Sequence, residues 1–271
     1  MAKGLNRILL IGTVTQTPEL RYTPGGLAVL EVTVAGNDQV TTETGEVREL
    51  AWYHRVKMFA RYAEMLAEQL TAGTPVFVDG RLDYRSWEAE GGRRSAVDVR
   101  VDRIEVLDRA GKGEAQTVSD ARGQERLREG LNQVTLIGNL TRDPELRYTP
   151  QGTAVIRIGL AVNERFVSRG AEQEKTHFFD VQAWRELAEW AASLKKGDGL
   201  FVMGRLVNDS WTTQTGERRF TTRVEAHRLE RLSRGPGYGG GTGAPAKQAQ
   251  AGGVDIDEGL EDFPPEEDLP F

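Results

Sequence analysis

The sequence predicts a mainly β protein: two consecutive five-stranded barrels with one helix each, then an acidic tail with no core of its own. Three observations predict it. The chain repeats itself, each repeat alternates apolar and polar residues with period two, and the residues after 233 abandon both patterns.

The repeat is plain. Leu5-Asn6-Arg7-Ile8-Leu9-Leu10-Ile11-Gly12 returns as Leu131-Asn132-Gln133-Val134-Thr135-Leu136-Ile137-Gly138, 126 residues later. Pro18-Glu19-Leu20-Arg21-Tyr22-Thr23-Pro24 returns at the same offset as Pro144-Glu145-Leu146-Arg147-Tyr148-Thr149-Pro150. Between 5–34 and 131–160, 16 of 30 positions are identical, and Gly80-Arg81-Leu82 recurs as Gly204-Arg205-Leu206. The expected domains are 1–108 and 129–233, here called copy one and copy two. At 271 residues the chain is long enough for each to bury its own core.

Within each copy the elements follow in order. The apolar runs at 8–11 and 134–137 open the barrels as first strands. Leu30, Val32 and Val34 alternate with Glu31 and Thr33, and Ile156, Ile158 and Leu160 alternate with Arg157 and Gly159, giving second strands with one buried face. Mixed aromatic and cationic stretches, 52–59 and 177–184, are third strands. Phe59, Tyr62, Ala63, Leu66 and Leu70 then fall at helical spacing, as do Trp184, Leu187, Ala188 and Ala191, with Gly73 and Gly197 as expected helix ends. Gly80-Arg81-Leu82 lies in a fourth strand and Val97, Val99 and Val101 in a fifth. Five strands with a helix between the third and fourth is the order of an OB barrel.

The remaining segments cannot build a core. Residues 109–128 are polar and read as a linker; 234–253 are rich in Gly and expected to be flexible. Residues 254–271 hold eight acids and no base; without them 33 acids face 35 bases, so the net charge of −6 belongs to the tail. The absence of cysteine excludes disulfides and thiolate chemistry. No apolar run reaches membrane-spanning length and no export signal is legible, so the expected location is the cytoplasm.

Binding a nucleic-acid strand without reading its sequence needs exposed rings on which bases stack and cations that follow the phosphates. Trp87 stands just before the turn ahead of Arg93-Arg94, and Trp211 occupies the equivalent place ahead of Arg218-Arg219. Both fit base stacking; packing against the barrel or a subunit contact is the alternative. Strand alternation puts half of each third-strand cluster outside. Tyr53, Arg55, Lys57 and Phe59 are the outward candidates in copy one, and Phe178 and Trp184 in copy two. Phe59 and Trp184 fit the helix stripe equally well. Arg7, Arg21, Arg85 and Arg147 complete the candidate phosphate contacts. The Gly-rich stretch 235–240 matches G-x-G-x-x-G but follows no strand, so it is no dinucleotide site. His54, His177 and His227 lack partners at metal-ligand spacing, and no cofactor or catalytic group is expected.

Asn132-Gln133-Val134-Thr135-Leu136-Ile137-Gly138-Asn139-Leu140-Thr141-Arg142-Asp143-Pro144-Glu145-Leu146-Arg147-Tyr148 resembles the opening of the bacterial single-stranded DNA-binding proteins. Trp52-Tyr53-His54-Arg55-Val56 resembles that family's third strand, and Asp268-Leu269-Pro270-Phe271 its partner-recruiting tip. Two copies per chain resemble the subtype with two OB folds. The resemblance implies single-stranded DNA as ligand, no catalysis, a homodimer with four OB folds, and recruitment of replication, repair and recombination proteins through the tip. It also marks Phe166 as a stacking residue, where copy one has Val40; where copy one has Arg55, copy two has Asp180. An RNA-binding OB module and a metal-dependent OB nuclease are the competing readings.

Overall fold

The structure is a computed structural model. It describes residues 4–41, 47–89, 92–107, 117–119, 123, 125–127, 129–168, 171–212 and 218–232; at 40, 41, 89, 92–94, 117–119, 125, 167, 168, 210–212 and 218–220 the backbone alone is described. Copy one contains β1 (Leu5–Val14), β2 (Leu20–Tyr22), β3 (Ala28–Thr41), β4 (Val47–Phe59), α1 (Ala60–Ala67), β5 (Pro75–Ala89) and β6 (Gly92–Val106). Two short strands, β7 (Thr117–Ser119) and β8 (Glu125–Leu127), lie within the linker. Copy two repeats the first set as β9 (Leu131–Leu140), β10 (Glu145–Tyr148), β11 (Ala154–Ser168), β12 (Ala171–Trp184), α2 (Arg185–Ala191), β13 (Gly199–Thr212) and β14 (Arg218–Leu232).

Each copy closes on itself. β1 pairs with β3 and β5, β3 with β4, β4 with β6 in parallel, and β6 with β5. The same circuit runs through β9, β11, β12, β14 and β13. This is the mainly β, two-barrel fold the periodicity predicts, with a short extra strand in each copy. Alternation fills the barrels: Leu30, Val32 and Val34 point in from β3, Ile156, Ile158 and Leu160 from β11. Full burial of each such side chain contributes roughly 1.5–3 kcal/mol.

The helices also bury the expected residues, Ala63 and Leu66 in α1, Ala188 and Ala191 in α2. Their ends differ from expectation. α1 stops at Ala67 and α2 at Ala191, well before Gly73 and Gly197. Those glycines instead occupy positive-φ turns, at 80° and 83°, and donate their N–H groups to Val14 and Leu140 at 2.7 and 2.8 Å. They tie the loop after each helix to the end of the first strand.

The two barrels join through their first strands. β1 runs antiparallel to β9, with Leu5 opposite Ile137, Ile8 opposite Val134 and Ile11 opposite Leu131. Leu5 and Leu131 are repeat equivalents, as are Ile11 and Ile137, so the pairing is self-complementary, like a two-fold dimer made within one chain. Gly130 donates to Asn37 O at 3.0 Å, and its equivalent Gly4 packs against Asn163, the equivalent of Asn37. Arg81 pairs with Glu164, and Arg205 with Asp38 at 3.5 Å.

Two histidines are buried in the same seam. His54 lies 3.1 Å from the side-chain amides of both Asn132 and Asn208, and burial lowers its pKa to about 4. His177 accepts the Tyr84 N–H at Nδ1, 3.2 Å, which leaves Nε2–H to donate to Glu164 at 3.0 Å. Burial lowers its pKa as well.

Candidate nucleic-acid interface

The outer faces of β4 and β12 carry the expected side chains. On β4, Trp52, His54, Val56 and Met58 point inward while Tyr53, Arg55, Lys57 and Phe59 point outward. On β12, His177, Phe179 and Val181 are inward, and Phe178 is exposed. Phe59 and Trp184 end their strands and stand, half-buried, immediately before the helices. A helix-stripe position and an outward strand position meet there, which is why the spacing alone fits both.

A groove of about 580 Å³ crosses the seam and gathers four candidates, Arg55, Arg85 and Trp87 from copy one and Phe178 from copy two, together with Asp180 and with Tyr84, which the sequence did not single out. Trp87 is 46% exposed and Phe178 42%. Tyr84 meets Phe178 edge to face at 5.8 Å, so the rings form a ledge shared by both barrels. Phe166, 37% exposed, lies further along β11. Large rings left this wet cost solvation unless a ligand covers them, and the aromatic faces are what a base needs. Tyr53 differs: the guanidinium of Arg126, on linker strand β8, sits 5.8 Å over its ring.

The strand register sets Trp87 opposite Arg94 and Trp211 opposite Arg219 on the β5–β6 and β13–β14 hairpins. The side chains of Trp211, Arg93, Arg94, Arg218 and Arg219 lie outside the described residues, as do Asp268, Leu269, Pro270, Phe271 and the whole of 233–271.

The candidate cations are mostly paired. Arg55 reaches Glu31 at 3.3 Å, Lys57 lies 3.4 Å from Glu31 and 3.1 Å from Asp98, and Arg85 also pairs with Asp98. Arg21 and Arg147 pair with Glu19 and Glu145 at 3.5 and 3.4 Å. Arg7 stands apart from the groove. It holds Asp79 through two hydrogen bonds, 2.9 and 2.7 Å, and lines a second cleft with Asp102, Glu164, Glu172 and Glu174. Partly exposed pairs of this kind contribute little to stability and leave their cations available to a phosphate.

Three arginines that the sequence reading passed over belong to the same outer face in copy two. Arg157 of β11 lies opposite Gln182, between the levels of Phe178 and Trp184. Arg223 of β14 pairs with Asp209. Arg142 follows Thr141, which is bound to Gly159 O through its backbone and its hydroxyl, and Gly159 faces Asp180 across the ladder. Burial raises the Asp180 pKa against the pull of Arg157, Arg142 and Arg223. Burial also lowers Arg157, and takes Arg223 down to about 10. Alternation on the second strand places Arg157 outside, which is the signal the sequence carries for it.

Among known proteins, the profile of the single-strand binding protein family matches residues 5–107 and again 131–232, one match per barrel. The single-stranded DNA-binding proteins of Thermus aquaticus and Thermus thermophilus are each 63% identical over 271 residues, covering all of both chains. That of Deinococcus radiodurans is 46% identical, again over the full length of both. The crystal structure of the wild-type Thermus aquaticus protein superposes with a TM-score of 0.70 at 53% identity, over 88% of this chain and 98% of that one.

Proposed function

This chain belongs to the single-strand binding protein family, and we propose that it binds single-stranded DNA with little regard to sequence, by stacking bases on its outward rings and pairing phosphates with its surface cations. The observation that carries this is the ledge of Trp87 and Phe178, both exposed, with the half-buried Tyr84 between the barrels, beside Arg55 and Arg85. Phe166, Phe59, Trp184 and Trp211 extend the stacking track in this reading, and Arg94 and Arg219 accompany the two hairpin tryptophans. Duplex is refused because paired bases cannot offer their faces to a ring. The relatives above are named for binding, none for a reaction.

Two further parts of the reading rest on family likeness. The tip Asp268-Leu269-Pro270-Phe271 presents an apolar ring and a carboxylate after a run of acids, a peptide suited to an apolar pocket rimmed by cations in replication, repair and recombination proteins. Two chains would bring four OB folds together, and the mass in solution tests that homodimer. Removal of residues 254–271 is expected to raise DNA affinity most at low salt, where an acidic tail competes best for cationic grooves.

The test of the binding reading is a tryptophan fluorescence titration with oligo(dT), beside duplex and oligo(U). Strong quenching by dT is expected. Trp87→Ala and Phe178→Ala should each weaken binding by about 5- to 150-fold, the value of one stacked base. Preference for duplex, or for oligo(U), would overturn it.

A further inference from the structure

The outer faces of the two barrels carry the same ion-pair framework with its signs exchanged. In copy one, Arg85 of β5 pairs with Asp98 of β6; in copy two the equivalent positions are Asp209 of β13 and Arg223 of β14, again paired. Arg55 of β4 pairs with Glu31 of β3; the equivalents are Asp180 of β12 and Arg157 of β11, which interact across their shared ladder. Lys57, beside Glu31, becomes the neutral Gln182 beside Arg157. Within this framework the cations of copy one stand on its third and fourth strands, Arg55, Lys57 and Arg85, while Arg100 of β6 lies over the Phe59 ring at 5.8 Å. Those of copy two stand on its second and fifth, Arg157 and the buried Arg223.

The exchange leaves copy two one base short, and a different residue supplies it. Gln16 of copy one is Arg142 in copy two. Among the described residues Arg142 has no carboxylate within ion-pair distance, since Asp143 accepts from the Lys196 N–H at 2.7 Å and meets Lys195 at 3.5 Å. Glu145 is engaged by Arg147. Around the one buried acid, Asp180, stand Arg142, Arg157 and the Asp209-paired Arg223, level with the outward rings of β12, and Arg147, itself paired with Glu145, lies beside Arg157. Fixed like charges in partial burial cost free energy that an arriving anion repays.

We propose that Arg142 and Arg157, with Arg147 beside them, form a phosphate-binding site for single-stranded DNA in copy two, held by Asp180 and with no counterpart in copy one. The strand therefore runs along different sheet strands on the two barrels: over β4 and β5 in the first, and over β11 and the start of the loop after β9 in the second. This rests on the single-strand reading above.

The experiment measures oligo(dT) affinity of the full chain against salt. Arg142→Gln installs the residue copy one already carries and changes no buried contact. It is expected to lower the salt slope by roughly 0.7, so that its affinity falls about threefold less than that of the native chain between about 50 and 200 mM salt. Arg157→Gln should do the same, and Arg157→Lys should restore the native slope, which a merely structural role would not require. Arg228→Gln, removing an exposed arginine paired with Glu230 outside the group, should leave the slope unchanged. Native slopes in both Arg142→Gln and Arg157→Gln would overturn the site. If Trp87→Ala and Phe178→Ala also bound dT normally, the failure would lie in the single-strand reading; if they lost affinity, it would lie in the phosphate site alone.

Discussion

At the scale of single residues, the seam holds one group whose protonation state the fold dictates. His54 is fully enclosed between Trp52, stacked on it at 5.2 Å, the amides of Asn132 and Asn208, and the carbonyl of Leu206. Its folded pKa of about 4 lies below the 6.5 of a free imidazole. The unfolded chain therefore binds a proton in that interval that the folded chain refuses, and stability falls as pH drops from about 6.5 to about 4. The loss reaches roughly 3 kcal/mol at the lower end. Urea midpoints measured across the interval check this against His54→Phe, which copies Phe179, the equivalent residue of copy two. The variant should lose that part of the slope, whatever its stability at neutral pH; an unchanged slope would place the acid sensitivity elsewhere. None of this burial was legible in the sequence, where His54 reads only as part of an aromatic and cationic run. Its partners are supplied by the other barrel, more than 75 positions away.

At the scale of elements, strands and helices were legible because each buries one face, and period two or 3.6 records which face. The ends were less so. Gly73 and Gly197 signal left-handed backbone, but the signal fits any positive-φ turn, and the turn lies beyond the helix. The order within the linker was not legible at all. Residues 117–127 show almost no apolar periodicity, yet β7 pairs with β8, and Leu127 of β8 with Gly36 of β3. The edge of β3 supplies what the segment's own composition lacks. That pairing sets Arg126 over Tyr53, while among the described residues no cation lies over Phe178, the equivalent ring of copy two, which meets Tyr84 edge to face. A guanidinium on an aromatic face occupies the place a base would take. Tyr53→Ala should thus change oligo(dT) affinity less than about threefold in the native chain, but about fivefold or more once Arg126→Ala has uncovered the ring. Equal losses in the two backgrounds, read from the same fluorescence titration, would mean that DNA already reaches Tyr53.

At the scale of the whole molecule, the duplication produced a pair of barrels that no longer have separate surfaces. β1 is hydrogen-bonded on one side to β5 of its own barrel and on the other to β9 of its neighbour. Buried polar groups of each barrel find their partners in the other. Self-complementary pairing also leaves little room for change: a Cβ on Gly4 would stand 2.2 Å from Asn163 O, and one on Gly130 would stand 2.9 Å from Ile11 O. Both neighbours are backbone and cannot swing aside. Gly4→Ala should therefore force the barrels apart locally and cost about 1–3 kcal/mol, the usual range for overpacking a fitted contact. What distinguishes one cooperative body from two linked ones is how that cost is distributed. If the seam couples the barrels, calorimetry of the full chain shows a single transition in the native protein and a single, lower one in Gly4→Ala. If the barrels unfold independently, the substitution splits the trace, because only the copy whose contact has been lost can feel it. A single transition would also mean that the groove carrying Trp87 and Phe178 exists only while both barrels are folded. The DNA-binding ledge would then belong to the pair rather than to either copy.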